Sequence, residues 1–228
     1  GHGPFSHAFE SVTTAKHEEM TRRIILEDTE VHRALVRCCP SLPESVAAVI
    51  DHTHPNKILV LLYYYLMRYR GWRGAAVRNL ATTHLLDRIA EDFGETCYEV
   101  PVGFKYVSAK MVETGAIIGG ESSGGLTVRG HIQGKDGIYA AALLVEAIAK
   151  TGRRLSALWD EITQKYGAAE MAEHDFHFSS AERTRIFKLL MEDKQLPEFP
   201  CEIAKVSYMD GCKVYFKNGG WVIARFSG

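Results

Sequence analysis

The sequence predicts an α/β fold: a mixed α/β domain of alternating helices and strands, followed by a smaller α+β domain with an antiparallel meander. Three observations carry this. From His54 onward, stretches with apolar residues at helical spacing alternate with short β-branched or apolar runs, the pattern of α/β units. A Gly-rich segment, Gly119 to Gly137, follows one of those runs in mid-chain. Near the end, three short runs are separated by Asp210-Gly211 and Asn218-Gly219-Gly220, which are hairpin-turn signals.

Residues 1–50 form a segment apart. A polar start leads into a charged, helix-compatible run from Thr14 to Arg37 that stops near Cys39-Pro40, and no chemistry attaches to it. The α/β domain is placed at residues 51–167. Pro55 suits a first helical turn, and Ile58, Leu59, Leu62, Tyr65, Leu66 and Tyr69 fall at helical spacing before Gly71. Ala75 to Leu80 reads as a strand. Thr82 or Thr83 caps the next helix, whose stripe of Leu85, Leu86, Ile89, Ala90 and Phe93 ends at Gly94. Cys97 to Val100 is the next strand, Phe104 to Glu113 a helix, and Ala116-Ile117-Ile118 a short strand that enters the Gly-rich segment. Ile138 to Lys150 is apolar nearly all round, which predicts a buried helix stopped by Gly152. Leu155, Leu158, Trp159, Ile162 and Tyr166 mark one more amphipathic helix.

The second domain is placed at residues 168–228, after a polar, aperiodic linker around Gly167 to Phe178. Ser179 and Glu182 stand three apart, as in a capping box, and open a helix carrying Ile186, Leu189 and Leu190 that ends before Pro197 and Pro200. Cys201 to Met209, Cys212 to Lys217 and Trp221 to Phe226 make the meander.

Composition excludes several classes. A chain of 228 residues, 46% hydrophobic and 24% charged, can bury a real core, hiding roughly 70% of its unfolded surface without a metal or disulfide staple. With 27 Lys+Arg against 28 Asp+Glu, the net charge of −1 supplies no global field for nucleic acid or an anionic membrane. No stretch approaches the roughly 18 apolar residues of a membrane span. The longest, Ile58 to Met67, runs into Arg68 and Arg70. Gly1-His2-Gly3-Pro4 lacks the charged and apolar regions of a signal peptide, so a soluble cytoplasmic protein is expected. Cys38, Cys39, Cys97, Cys201 and Cys212 contain no CxxC pair, which fits buried thiols in a reducing compartment.

The chemistry concentrates in Gly119-Gly120-Glu121-Ser122-Ser123-Gly124-Gly125. Its glycines let the backbone approach a ligand, while Glu121 and Ser123 offer an acceptor and a donor suited to vicinal hydroxyls, the basic need of sugar recognition. A flexible loop with a solvated Glu121 is the equal alternative. A phosphate-cradling loop is disfavoured by the acidic Glu121 and by the lack of a following Gly-Lys-Ser/Thr. His131 lies in the same segment and is a substrate-contact candidate. Asp51, His52 and His54, and again His174, Asp175 and His177, fall short of a closed ligand set, so no metal site is predicted.

Gly120-Glu121-Ser122-Ser123-Gly124 resembles the sugar-binding loop of the α-D-phosphohexomutases, the phosphoglucomutase/phosphomannomutase superfamily. Gly103-Phe104-Lys105 resembles that family's Gly-aromatic-Lys segment, and Arg225-Phe226-Ser227-Gly228 resembles the start of its phosphate-binding loop. Val77 to His84 and Lys135-Asp136-Gly137-Ile138 also read like its third domain. The resemblance covers residues 54–228 and implies domains three and four of a four-domain enzyme. That enzyme interconverts hexose 1-phosphate and hexose 6-phosphate through a bisphosphorylated sugar, with a phosphoserine in domain one and Mg²⁺ in domain two. It implies hexose phosphates as partners and hexose 1,6-bisphosphate as intermediate. Glu121 and Ser123, with Gly120 and His131 beside them, would meet the sugar; Arg225, Ser227 and Gly228 would grip the non-reacting phosphate; Lys105 would serve the transferring group.

The family's serine loop and Asp-rich metal loop are not found in the sequence. Ile50-Asp51-His52-Thr53-His54-Pro55 passes straight to the start of domain three, and the phosphate loop stops at Gly228. The expectation is therefore a truncated or internally deleted piece of a mutase, inactive alone, that self-associates or pairs with the missing N-terminal domains. The alternative is a non-catalytic sugar-phosphate-binding or regulatory module.

Overall fold

Patterning of this kind must resolve into sheets whose apolar faces are covered by helices. In a computed structural model, residues 56–226 are described, together with positions 26, 27, 32, 33, 36 and 37. The readings placed on Thr14–Arg37, Cys38, Cys39, the Asp51/His52/His54 cluster, Ser227 and Gly228 lie, wholly or for the most part, outside the described residues. The chain divides into two compact units, up to Met171 and from Ala172.

In the first unit the elements follow in order: α1 (Asn56–Arg68), β1 (Ala76–Asn79), α2 (Leu85–Asp92), β2 (Cys97–Val100), α3 (Phe104–Thr114), β3 (Ile118–Gly120), β4 (Leu126–Val128), α4 (Gly137–Thr151) and α5 (Leu155–Tyr166). The sheet order is β2-β1-β3-β4, with β1 parallel to both β2 and β3 and β4 antiparallel to β3. Helix α3 covers one face of the sheet; α1 and α2 cover the other, and α4 and α5 pack over α1. The Gly-rich segment is more ordered than a loop: β3 extends through Gly119 and Gly120, and Leu126–Val128 returns beside it as β4. The strand expected at Ala116-Ile117-Ile118 is thus shifted toward the glycines, and Leu126-Thr127-Val128 carried no strand signal because so short an alternation inside a Gly-rich segment is indistinguishable from chance.

The buried helix is α1, not α4. Every residue from Leu59 to Met67 is buried in α1. Of α4 only Ala140, Leu143, Leu144 and Ala147 are buried, and Ile138 is 86% exposed. The reason is layer position: α1 lies between the sheet and two helices, whereas α4 is an outer element with one covered face. Burial of three consecutive tyrosines in α1 requires partners for their hydroxyls. Tyr63 donates to the Gly74 carbonyl, Tyr65 to Glu146, and Tyr64 to Glu161 on α5. Glu161 also accepts from Tyr69 and Arg153. Burial works against its charge, but the hydrogen bonds from Tyr64, Arg153 and Tyr69 hold the carboxyl below its ordinary range.

Strand β3 runs between α1 and α3 at glycine distance. A Cβ on Gly119 would lie 2.5 Å from Met111 Sδ and 2.6 Å from Val107 Cγ1, both on α3. Gly119→Ala is therefore expected to cost about 1–2 kcal/mol by overpacking, read as a lower urea midpoint at unchanged slope. An unchanged midpoint would mean that α3 shifts freely.

The second unit contains α6 (Ser180–Phe187), a π-helical turn (Lys188–Glu192), and strands β5 (Ile203–Ser207), β6 (Cys212–Phe216) and β7 (Trp221–Ala224). The Ser179/Glu182 capping box is formed: the Ser179 hydroxyl accepts the Glu182 N–H, and the Glu182 carboxylate accepts the Ser179 N–H. The strands form an antiparallel sheet in the order β5-β6-β7. Cys212 is buried, and burial pushes its thiol up. Cys201 is only half-buried, because it lies in the turn before β5 and not on the covered face. The α/β sheet with flanking helices followed by an antiparallel sheet is the fold class the patterning predicts.

Candidate site at the strand ends

In an open α/β sheet, the C-terminal ends of parallel strands and their loops form the natural ligand crevice. Here β1, β2 and β3 end along one edge, at Asn79, Val100 and Gly120. Glu121 follows β3 directly. Its N–H donates to the Gly125 carbonyl and its own carbonyl accepts from Gly124, closing the turn that joins β3 to β4. The side chain is buried at 5% exposure, so its charge must be met by donors.

Three segments supply them. The Gly103 N–H donates to Glu121 Oε1 at 3.0 Å, and Asn79 Nδ2 reaches the same oxygen at 3.4 Å. Lys135 Nζ stands 2.7 Å from Oε2. Gly103 precedes α3 with φ at +128°, a conformation that side chains rarely adopt, and this aims its N–H at the carboxylate. The Lys135 stem lies along Gly125, where an added Cβ would meet Cδ at 2.5 Å, and its ammonium is 5.7 Å from the Phe104 ring. The Gly103-Phe104-Lys105 and Gly120-Glu121-Ser122-Ser123 segments are thus brought together by a hydrogen bond from the Gly103 main-chain N–H to the Glu121 side chain. Chemically, this is a shielded, oriented carboxylate with a half-exposed cation beside it.

Gly120 is buried at the strand end and Ser123 is exposed in the turn. Lys105 is exposed in the first turn of α3, its ammonium 4.9 Å from the Tyr106 ring. His131 is engaged within its own loop: Nε2 is 2.7 Å from Asp136 Oδ2, and the ring stacks on Tyr139 at 4.0 Å. Asp136 also caps α4, its Oδ1 accepting the Ile138 and Tyr139 N–H groups. The Tyr139 N–H and then the His131 side chain hold the Asp136 carboxyl below its ordinary range. Arg225 lies in the second unit, directly after β7, with Nη2 3.2 Å from Asp210 Oδ2.

Sequence reasoning missed the parts played by Asn79 and Lys135, although both sit in segments it had singled out; polar residues next to strand ends were the available signal. Among the described residues no group of three or more His, Cys, Asp and Glu side chains is placed to hold a metal ion, so His174, Asp175 and His177 form no ligand set. The Mg²⁺ implied by the sequence resemblance therefore finds no matching ligand set among the described residues. Nor is any helix among them long and apolar enough to cross a membrane. A cavity of about 250 Å³ lies elsewhere, between α3 and the loop after β4, and is lined by Met111, Val112, Val128 and Ile132 among others.

Residues 54–166 match the family model described as phosphoglucomutase/phosphomannomutase, alpha/beta/alpha domain III. A phosphoglucomutase/phosphomannomutase of Thermococcus kodakarensis is 31% identical over 173 residues, which are 76% of this chain and 35% of that protein. A phosphoglucosamine mutase of Rubrobacter xylanophilus is 40% identical over 103 residues, 45% of this chain and 23% of that one. A stretch of 62 residues, 27% of this chain, is 53% identical to 14% of the uncharacterized protein YwfO of Bacillus subtilis. Among solved structures, one from Thermus thermophilus assigned as a phosphomannomutase superposes with a TM-score of 0.61 at 30% identity, covering 76% of this chain and 35% of that one. The chain thus spans about a third of the length of the Thermococcus relative and of the Thermus structure.

Proposed function

The chain belongs to the α-D-phosphohexomutase superfamily through its domain III, and on that premise we propose that it is the sugar- and phosphate-recognising part of a phosphoglucomutase/phosphomannomutase-type enzyme. The observation that carries this reading is the closure of the Gly-Phe-Lys segment onto Glu121, which leaves a buried carboxylate aimed from the strand ends. Glu121 accepts sugar hydroxyls and Ser123 donates to or accepts from a neighbouring one. Lys135 and Lys105 contribute positive charge for a phosphate, while Arg225 offers a planar fork for bidentate binding, aided by the Ser227 hydroxyl and the Gly228 N–H. Gly120 keeps the backbone close, and His131 braces the loop that delivers Lys135.

In the whole enzyme a phosphoryl group passes from a phosphoserine to a sugar hydroxyl, giving hexose 1,6-bisphosphate, and the other phosphoryl returns to the serine. Mg²⁺ would supply charge for that transfer, held outside the described residues. Phosphoryl transfer depends on positioning and charge, so turnover is expected only when the nucleophile is present. The unpaired Cys97, Cys201 and Cys212 fit a reducing, cytoplasmic setting. A second reading, a non-catalytic sugar-phosphate-binding module, is favoured by one observation: the Glu121 arrangement is assembled wholly within the first unit.

Calorimetric titration with glucose 1-phosphate and mannose 1-phosphate, beside Glu121→Ala, tests the proposal. Saturable binding that weakens in the variant is expected. No binding at millimolar ligand, or equal binding by the variant, would overturn it. Neither reading expects turnover from this chain alone, so the gene sequence upstream separates them: an in-frame serine loop is expected for the enzyme part, and its absence would favour the binding module.

A further inference from the structure

We propose that Asn79 is a positioning residue that aims the Glu121 carboxylate: by engaging Oε1 together with the Gly103 N–H, it leaves Oε2, which stands 2.7 Å from the half-exposed Lys135 ammonium, as the oxygen presented to a ligand. The ligand part of this inference rests on the sugar-phosphate reading above.

The backbone sets the pair side by side. Strands β1 and β3 run parallel with Arg78 opposite Gly120, so Asn79, the last residue of β1, lies beside Glu121, which directly follows β3. Both are buried, Asn79 at 2% exposure. The orientation of the Asn79 amide follows from its partners. Its Oδ1 accepts the Ala81 N–H at 3.1 Å and the Thr82 hydroxyl at 2.7 Å. A main-chain N–H can only donate, so the oxygen must face the turn and the NH₂ must face Glu121 Oε1. The turn is itself anchored, because the Thr83 N–H donates to Asn56 Oδ1 at 3.2 Å. At 3.4 Å the Asn79–Glu121 bond is long, and its importance lies in polarity: an acceptor at that place would repel the carboxylate from the position where Gly103 holds it.

Asn79→Asp makes that change with little change of shape. It keeps both acceptor bonds to the turn and replaces the donor facing Glu121 by a negatively charged acceptor. Thr82→Val removes one of the two donors on Oδ1 and adds no charge. The full chain carrying each variant is compared with the unmodified chain by NMR amide exchange at Gly103 and Ala81, and by calorimetry with glucose 1-phosphate. Asn79→Asp is expected to speed Gly103 exchange and weaken binding by roughly tenfold or more, with Ala81 unchanged. Thr82→Val is expected to move Gly103 exchange and binding in the same direction by roughly threefold.

Unchanged Gly103 exchange in folded Asn79→Asp would overturn the proposal and leave Asn79 as a turn-forming residue. If that variant does not fold, Thr82→Val decides, and unchanged Gly103 exchange there overturns it equally. If the unmodified chain does not bind glucose 1-phosphate, the sugar reading falls, while Gly103 exchange still decides whether Asn79 aims the carboxylate.

Discussion

Arg78→Met is expected to lower the unfolding free energy of the first unit by about 3 kcal/mol, the lower end of the cost of breaking a buried ion pair. Arg78 sits on the central strand β1 with a side chain only 3% exposed. It donates from Nε and Nη2 to both oxygens of Asp87, at 2.7 and 2.9 Å, and from Nη1 to Glu99 Oε2 at 2.6 Å. Burial opposes its charge, yet the hydrogen bonds and charge of Asp87 raise the guanidinium further above its ordinary range. Methionine fills much of the volume but takes from Asp87 and Glu99 the cation that had held the two carboxylates together. Those carboxylates are 38% and 18% exposed, so water recovers part of the loss, which is why the lower end applies. Urea unfolding followed by far-UV circular dichroism measures the effect. Adding Asp87→Asn and Glu99→Gln to Arg78→Met should recover much of it, because neutral amides need no cation. A single variant within about 0.5 kcal/mol of the unmodified chain would show that the triad contributes nothing net.

Glu121→Gln is expected to weaken hexose-phosphate binding by about 2–3 kcal/mol, or roughly 30- to 150-fold, as severely as alanine. The substitution is nearly isosteric, and the reason for its severity is direction. Oε1 faces two donors, the Gly103 N–H and Asn79 Nδ2. A carboxamide has one acceptor oxygen, which must turn toward those donors. Its NH₂ then occupies the place of Oε2, 2.7 Å from the Lys135 ammonium. There it can neither balance that cation nor accept a sugar hydroxyl. Calorimetry with glucose 1-phosphate reads the loss. Binding by the glutamine variant within about threefold of the unmodified chain would mean that the charge of Glu121 is not used.

Much of the fold is legible along the chain because its evidence is local. Helical spacing in Leu85 to Phe93, β-branched runs such as Ala75 to Leu80, and the Ser179/Glu182 capping pair each report the geometry of a few neighbouring residues. They recur as α2, β1 and the capped start of α6. The Gly120-Glu121-Ser122-Ser123-Gly124 and Gly103-Phe104-Lys105 segments stand out for the same reason, since glycine clusters and a charged residue within them are visible in one dimension.

Which surfaces meet, by contrast, is settled by packing in three dimensions. An apolar helix is buried on all sides or on one according to the layer it occupies, so α1 and not α4 became the enclosed helix. Likewise, the order of residues places Glu121 in a close-approach turn but does not say what holds it. Its partners Asn79, Gly103 and Lys135 come from the end of β1, the loop before α3 and the loop before α4. They converge because β1 and β3 are parallel neighbours and α3 packs across them. A buried carboxylate is tolerated where donors from separate segments converge on it, and that convergence is a property of packing and not of order along the chain.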